Sequence, residues 1–444
     1  MGATSQNVEG PSVAGAPAGA GDDAAAGGGV GVEVVEVGPE DHVAFVRAVD
    51  TGFLRRRKAT DEEVLAGWGP LLSTGRLRAA VDGGRYVGTF RSFDTELTLP
   101  GGSALPVDAI SAVTVTATHR RRGVLSRMMA ADLRAAADRG QAAAILVAAE
   151  YQIYGRFGFG PATEQLTGEV VKARAGRLPD PSAGGSAGGR VELVDTAEYR
   201  ALAPAVFERL RATRHGVIVR DDRWWDIATG IHALPGEEWN EPFWAVYRDA
   251  SGAVTGTLRY RVETRWDREV PDGRLTVEDL IAPDPEAAAA LVRYALGVDL
   301  VTRVEFVQRP VDEVVPLLLE DARGWRVLEH VDWMWLRILD VPALFAARRY
   351  AVEGSLVLRV RDRDGYAEGT FALEGGPDGA TCRRTGAAPD VELEAATLAR
   401  LALGGASAAR LHRAGLLTEH RPGAAHRADV LLRTAESPWC PDNF

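Results

Sequence analysis

The chain has 444 residues, enough for two or three domains, and its 46% hydrophobic and 25% charged residues are typical of a globular protein. Its net charge of −11 argues against a nucleic-acid partner or an anionic membrane, because both repel an acidic surface. The two cysteines, Cys382 and Cys440, are too few for a disulfide framework, and no apolar run reaches the roughly 20 residues of a membrane span, so we expect a cytoplasmic location and no membrane partner.

The N-terminus is rich in Gly, Ala, Ser and Pro and has almost no large apolar side chain, which predicts a disordered tail over residues 1–29. It also lacks the basic start and the unbroken apolar core of a signal peptide. Order is expected from Val30, because residues 30–37 are β-branched and bounded by glycine, as in a strand. A helix is predicted within residues 40–54, where apolar side chains recur at helical spacing.

The rest of the first half predicts two hairpins followed by a strand, a helix and a strand. The last strand is a continuous apolar run, as expected for a strand buried on both faces. The predicted elements are hairpins over residues 78–93 and 95–105, a strand over 109–116, a helix over 124–139 and a strand over 142–149.

The second half repeats this order after a Gly- and Ser-rich linker at residues 177–190. It predicts a hairpin over 243–260, a strand over 275–281, a helix over 284–295 and a strand over 304–307. Either a duplicated domain or a merely similar α/β unit explains this repetition. A final segment with a strand meander and short helices is predicted to start near Leu336.

The most informative segment is residues 118–126, Thr-His-Arg-Arg-Arg-Gly-Val-Leu-Ser, between a predicted strand and a predicted helix. A helix N-terminus offers free backbone N–H groups and a favourable dipole to a pyrophosphate such as that of coenzyme A. Gly123 lets the backbone approach the phosphates, and Arg120 and Arg121 can add charge-assisted hydrogen bonds. The alternative is an exposed basic loop before an amphipathic helix, which the flanking strands disfavour.

The run Arg120-Arg-Arg-Gly-Val-Leu125 resembles the Arg/Gln-x-x-Gly-x-Gly/Ala signature of GNAT acetyltransferases, with Leu125 at the final small position. Together with Tyr-Gln-Ile-Tyr-Gly-Arg-Phe-Gly-Phe-Gly-Pro at residues 151–161, it is similar to the enhanced intracellular survival (Eis) family. The resemblance implies an α/β (α+β) architecture of tandem GNAT folds, the second degenerate, and a C-terminal α+β domain similar to sterol carrier proteins. The implied domains are residues 30–176, 191–335 and 336–444.

The same resemblance implies where acetyl-CoA binds. The pantetheine pairs with the backbone of one strand, and the pyrophosphate lies on the arginine-rich turn and the start of the helix. The implied cofactor-binding residues are Val113, Thr114, Val115, Arg120, Arg121, Gly123, Val124 and Leu125.

Acetyl transfer to an amine needs a base for the amine and a proton for the leaving thiolate. The resemblance implies that Tyr154 is the general acid and that the terminal carboxylate, carried here by Phe444, is the general base. Tyr151 is the alternative acid, and Glu150 acting through water is the alternative base. Both predicted groups also have a purely structural interpretation, as a packed tyrosine and as a tail docked for stability.

Trp68, Ser111 and Asn443 are the candidate substrate-binding residues. Ala112 stands where relatives can have an aromatic wall, which predicts a wider pocket. His119 lies in the phosphate turn and is interpreted as structural. The histidines show no metal-ligand spacing, so no metal is expected.

The leading hypothesis is an acetyl-CoA-dependent N-acetyltransferase that acts on amines of polycationic small molecules such as aminoglycosides, at several positions of one substrate. One alternative keeps the enzyme and changes the acceptor to a protein lysine or a polyamine. Another is a lipid- and acetyl-CoA-binding protein without catalysis, which the presence of both Tyr154 and the arginine turn disfavours. The resemblance also implies a homohexamer.

Overall fold

The structure, a computed structural model, describes residues 31–176, 188–236 and 239–444. The tail expected over residues 1–29 and most of the expected linker, residues 177–187, lie outside the described residues. Among the helices of these described ranges, none combines the length and the apolar character needed to cross a bilayer.

A first sheet of seven strands forms the N-terminal domain. Its strands β1 to β4 are antiparallel, whereas β4 and β5 run parallel. In spatial order the sheet contains β1 (Glu33–Glu36), β2 (Arg76–Asp82), β3 (Arg85–Thr98), β4 (Ala104–Val115), β5 (Ala143–Val147), β16 (Met334–Ile338) and β6 (Gly160–Pro161). The helices packed with it are α1 (His42–Gly52), α2 (Asp61–Leu72), α3 (Val124–Asp138) and the single turn α4 (Tyr151–Tyr154).

Local sequence explains these helices. α2 begins at a capping box in which Thr60 and Glu63 satisfy each other's backbone N–H groups. α3 buries Met128, Met129 and Leu133 at helical spacing against the sheet, as the apolar pattern predicts. The strand predicted over residues 109–116 is longer than expected, because β4 already starts at the β3–β4 turn, where Leu99 donates to Ser103.

A second sheet of seven strands forms the middle domain. In spatial order it contains β15 (Trp325–Asp332), β7 (Glu164–Val171), β14 (Val301–Arg309), β13 (Gly273–Ile281), β10 (Val254–Glu263), β9 (Phe243–Arg248) and β8 (Arg190–Val194). Its helices are α5 (Thr196–Arg211), α6 (Asp222–Ala228) and α7 (Pro285–Gly297), and a small ribbon pairs β11 (Trp266–Asp267) with β12 (Val270–Pro271).

The two sheets exchange strands, which the sequence did not indicate. The expected catalytic segment 30–176 contains β7, but β7 lies between β14 and β15 in the second sheet. The expected C-terminal segment starts at Leu336, which lies inside β16, and β16 pairs with β5 and β6 of the first sheet. The first two sheets are therefore interlocked, and neither sheet corresponds to one continuous segment of the chain.

The C-terminal domain is built on a five-stranded sheet in the order β19 (Gly379–Arg384), β18 (Gly369–Gly376), β17 (Gly354–Arg361), β20 (Val391–Glu394) and β21 (Leu417–Glu419). Its helices are α8 (Val341–Ala347), α9 (Ala395–Ala402), α10 (Ala408–Arg413) and α11 (Ala424–Leu432). Leu336 and Ile338 of β16 share one apolar core with Leu358 and Phe371 of this domain. That shared core anchors the C-terminal domain to the first sheet.

After α11 the chain returns to the centre of the molecule. In this segment, residues 438–444, hereafter the tail, Trp439, Cys440 and Asp442 are buried. Trp439 packs in the core of the middle domain, whereas Cys440 packs in the core shared by the first and C-terminal domains. The tail therefore lies where all three domains meet.

Candidate active site

The first feature of the site is a gap between two parallel strands. β4 pairs with β5 only from Asp108 to Ile110, although β4 continues to Val115. Ala112 has a left-handed φ of 48°, which is unusual for a residue with a side chain and marks an irregularity in the strand. Beyond Ile110, β4 has no strand partner on its β5 side in the described part of the chain. Its peptide groups are therefore available to a ligand on that side.

A cavity of about 650 Å³, hereafter the first cavity, opens at this gap. All the predicted cofactor-binding residues line it, and so do Tyr154 and its neighbour Glu150. The lining comprises Val113, Thr114, Val115, Arg120, Arg121, Gly123, Val124, Leu125, Glu150 and Tyr154, with Gly52, Phe53, His119, Ser126, Ala149, Ile153 and Arg156.

The arginine-rich turn leaves the start of α3 open. Gly123 occupies the cap position with a φ of 71°, and no side chain caps the helix. A Cβ atom at Gly123 would meet nothing within 4 Å, so the space beside these N–H groups is free for a ligand. Arg120 and Arg121 are exposed. His119 is tied to the preceding hairpin, with Nε2 2.9 Å from Asp82.

The two tyrosines of the downstream motif differ in environment. Tyr154 is 6% exposed, and burial, with a smaller contribution from the charge of Glu150, raises its pKa to about 12. Tyr151 is 53% exposed, and its hydroxyl accepts a hydrogen bond from Arg400 of α9 at 2.6 Å. Tyr154 therefore has a protonated phenol at neutral pH and lines the first cavity, whereas Tyr151 does not line it.

A larger cavity of about 930 Å³, hereafter the second cavity, contains all the predicted substrate-binding residues and the chain terminus: Trp68, Ser111, Asn443 and Phe444. Tyr154 and Phe444 thus line different cavities. β4 lies between the two, because Ser111 lines the second cavity while Val113, two residues later, lines the first. A substrate amine in the second cavity can therefore meet a ligand in the first only past this splayed strand.

Sequence reasoning missed most of the walls of the second cavity. They come from β3, α5 and the α5–α6 region, segments far apart in the chain that carry no motif. The functional candidates among them are Arg91, Phe93, Asp94, Glu96, Glu208, Arg211, Asp221, Arg223 and Trp224.

The second cavity has an excess of carboxylates. Those of Asp94, Glu96, Glu208 and Asp221, with the terminal carboxylate, face the guanidinium groups of Arg91, Arg211 and Arg223, and Arg76 lies 3.0 Å from Asp94. The Asp442 carboxylate is left out of this balance, because it is buried against Arg220. Arg211 is engaged by Glu208 at 2.8 Å and Glu96 at 3.5 Å. Burial, then the nearby Arg223, lowers the pKa of Arg91 to about 10, which still leaves it charged at neutral pH. The acidic excess is suited to a cationic ligand.

The tail reaches the second cavity through a set of defined contacts. The Phe444 ring packs edge-on against Phe93, with centroids 6.2 Å apart. Trp333 donates a hydrogen bond to the Asp442 carbonyl at 2.8 Å, and the Asp442 side chain accepts one from Arg220 at 2.8 Å. Burial raises the pKa of Asp442 to about 6, although Arg220 opposes that shift. Asn443 is exposed to the cavity.

These features fit acetyl-CoA. The open edge of β4 offers peptide groups to the pantetheine amides, and the uncapped start of α3 with two exposed arginines offers donors to a pyrophosphate. In the described ranges there is no group of three or more His, Cys, Asp or Glu side chains placed to hold a metal ion.

The chain matches three known family models. Residues 33–162 and 216–338 each match a family model described as an acetyltransferase (GNAT) domain, and residues 341–441 match a sterol carrier protein domain. These matches confirm the predicted fold class of two GNAT domains followed by a sterol-carrier-like domain.

Similar chains cover 80% or more of the protein. An uncharacterized N-acetyltransferase of Streptomyces avermitilis is 46% identical, over 93% of this chain and 99% of its own length. The N-acetyltransferase Eis of Mycobacterium tuberculosis is 37% identical, over 80% of this chain and 86% of its own length. The crystal structure of Eis1 from Mycobacterium abscessus superposes with a TM-score of 0.79 at 31% identity, covering 93% of this chain and 100% of that one.

Proposed function

Since the chain belongs to the Eis family of GNAT N-acetyltransferases, we propose that it transfers the acetyl group of acetyl-CoA to primary amines of polycationic small molecules, aminoglycosides among them. The acidic second cavity, which lies on β4 next to the first, is the observation that carries this choice of acceptor. Fold and relatives establish the acyltransferase class. The acceptor and the roles of individual residues are the parts proposed here.

The first cavity would bind acetyl-CoA, which supplies the thioester. The backbone of residues 113–115 would pair with the pantetheine, since β4 is open on this side. Arg120, Arg121 and the N–H groups after Gly123 would hold the pyrophosphate, because α3 has no capping side chain to compete for them. This arrangement would fix the thioester at the crossing between the two cavities.

Tyr154 would supply the proton to the departing sulfur. Its raised pKa, about 12, keeps the phenol protonated over the whole physiological range, so the donor is present in every catalytic cycle. Tyr151 is less suited, because it does not line the first cavity, whereas Tyr154 does.

The terminal carboxylate of Phe444 would accept the proton of the attacking amine. Phe444 lines the cavity proposed for the amine, whereas the alternative base, Glu150, lines the cofactor cavity. A base on the amine side is required, because the proton leaves from the nitrogen that attacks the thioester carbonyl.

A polycation fits the second cavity for two reasons. The carboxylates outnumber the guanidinium groups, and the low-dielectric walls of a cleft concentrate ligands of opposite charge. A volume of about 930 Å³ admits a drug-sized ligand in more than one orientation, which supports the proposal of acetylation at several amines. The implied homohexamer and the expected lack of nucleic-acid and membrane partners stay predictions.

A thiol-release assay tests the proposal. Wild-type protein, Tyr154→Phe and the matched control Tyr151→Phe are assayed with acetyl-CoA and aminoglycosides, polyamines or a lysine peptide. We expect release with aminoglycosides, a kcat lower by roughly 10²–10⁴-fold in Tyr154→Phe, and near wild-type rates in Tyr151→Phe. Release with the peptide alone would replace the proposed acceptor by protein lysine. Wild-type rates in Tyr154→Phe would remove Tyr154 as the acid.

A further inference from the structure

The middle domain has its own parallel strand pair at the position that forms the first cavity in the N-terminal domain. β13 and β14 pair in parallel from Gly273 as far as Val277 and Phe306, and both continue beyond that point. β13 and β14 flank α7 in the chain as β4 and β5 flank α3. The C-terminal ends of β13 and β14 are thus the counterpart of the cofactor gap.

The tail and a neighbouring arginine fill this counterpart. The Trp439 indole donates a hydrogen bond to the carbonyl of Gln308 on β14 at 2.9 Å. Arg309, also on β14, donates to the carbonyl of Leu280 on β13 at 2.9 Å, and its guanidinium lies 5.1 Å from the Trp439 ring centroid. Strand carbonyls beyond the paired segment therefore have partners inside this chain.

A buried ion cluster holds the tail a few residues further on. Arg220 lies 2.9 Å from Asp279 of β13 and 2.8 Å from Asp442 of the tail, and the Arg220 and Asp442 side chains are only 2% and 1% exposed. The Arg220 guanidinium also stacks 3.9 Å from the Trp224 ring centroid. Because a buried charge that loses its partner is strongly destabilising, this cluster favours one register of the tail.

We infer that the middle domain binds the C-terminal tail in one fixed position, at a site hereafter called the socket. Arg220 and Asp442 are then positioning residues for the terminal carboxylate. Phe444 follows Asp442 by two positions, so the ion pair of Asp442 with Arg220 confines the Phe444 Cα to within about 7 Å of the Asp442 Cα. The contact of Phe444 with Phe93 then directs it to the second cavity. The effect on catalysis rests on the proposed function, because it takes the terminal carboxylate as the base. Binding of the tail by the middle domain does not depend on that function.

The test uses four variants of the full-length protein. Asp442→Ala removes the tail's partner for Arg220, and Asp442→Asn keeps an oxygen that can accept the same hydrogen bond. Deletion of Phe444 alone removes the terminal residue but leaves Trp439 and Asp442 in place. Glu436→Gln is the matched control, since the exposed Glu436 forms an ion pair with Arg214 just before the tail.

Three measurements follow each variant: release of Phe444 by carboxypeptidase, amide hydrogen exchange in β13 and β14, and acetyl transfer to an aminoglycoside. We expect Asp442→Ala to release Phe444 faster and to raise exchange in β13 and β14 but not in β4 and β5. Its kcat should fall on the order of 10²-fold, because a displacement of about 1 Å can have that effect, with acetyl-CoA affinity unchanged. Asp442→Asn should recover most of the kcat, and Glu436→Gln should match the wild type.

The outcomes separate the socket from the catalytic role. A terminus that stays protected in Asp442→Ala, with unchanged exchange in β13 and β14, would overturn the socket. Release of the tail without loss of kcat would leave the socket intact and overturn the base assigned to Phe444. Deletion of Phe444 should abolish transfer without changing exchange in the middle domain. If Asp442→Ala fails to fold, Trp439→Phe removes the donor to Gln308 but keeps an aromatic ring in the core, and it should raise exchange in β14.

Discussion

The two GNAT domains share an order of strand, helix and strand, but they treat the start of the central helix in opposite ways. In the N-terminal domain, α3 follows Gly123, and no side chain caps it. In the middle domain, α7 follows Asp284, whose carboxylate accepts from the N–H groups of Glu286 and Ala287, and Pro285 lacks an N–H group. The first helix can therefore receive a phosphate, whereas the second already has an anion at its N-terminus.

The strands that flank these helices also differ in whether their ends are open or occupied. Beyond Ile110, β4 is open toward a cavity, whereas the ends of β13 and β14 are occupied by Arg309 and Trp439. A GNAT fold thus provides the place for acetyl-CoA but not the site. The site requires hydrogen-bonding groups that the chain leaves unused. The middle domain uses its helix N–H donors for the Asp284 cap, and its strand carbonyls accept hydrogen bonds from Arg309 and Trp439.

The difference between the two domains can be removed by giving the N-terminus of α3 a capping carboxylate like that of α7. Gly123→Asp would place a capping carboxylate at α3, in a left-handed conformation that aspartate tolerates. Loss of two charge-assisted bonds of about 1.5 kcal/mol each corresponds to roughly 10²-fold weaker acetyl-CoA binding. Calorimetric titration measures this change. Gly123→Asn, which can cap without charge, should weaken binding less, and equal affinities for Asp and Asn would show that charge is unimportant there.

The converse change removes the capping carboxylate from α7 and tests whether the cap alone excludes acetyl-CoA from the middle domain. Asp284→Ala removes the cap of α7 and should lower the free energy of unfolding by about 1 kcal/mol, as is usual for an N-cap aspartate. Thermal unfolding should show the loss, while acetyl-CoA still binds at one site per chain. A second site in the titration would show that the cap alone had closed the middle domain.

The smallest expected effect concerns pH. Because burial raises the Tyr154 pKa from its usual value near 10 to about 12, the phenol keeps its proton as pH rises, and its ionisation should not reduce kcat below about pH 10. Initial rates from pH 7 to 10, corrected for spontaneous thioester hydrolysis, measure this profile. A descending limb with a midpoint near pH 10, absent in Tyr154→Phe, would show that the phenol has an ordinary pKa.

Local patterns were reliable where one segment carries its own physical signal. The apolar spacing of residues 124–139 predicted α3, which spans Val124–Asp138, and the turn before it provides the uncapped N-terminus that the arginines and Gly123 indicated. Every predicted cofactor-binding residue lines the first cavity because these residues belong to one strand, one turn and one helix end. Their contacts with acetyl-CoA stay predictions.

Signals that depend on distant segments were not readable. The wall of the second cavity joins Asp94 of β3 to Glu208 of α5 and Asp221 before α6, and none of these carboxylates belongs to a recognisable motif. Arg220 likewise has no local signature, since its partners lie 59 and 222 residues away. The exchange of β7 and β16 between the sheets was missed because strand pairing is a choice among partners that a strand's own pattern does not specify.

By itself, the sequence determined the domain order, the arginine-rich turn and the pair of motifs that indicate acetyl transfer, because backbone preferences and helix termini act over a few residues. Only the tertiary structure decided that β4 separates two cavities, that the larger one is acidic and that the tail fills the middle domain. Those features arise when residues hundreds of positions apart are desolvated together. The stability of such contacts depends on partner residues that cannot be identified from the local sequence.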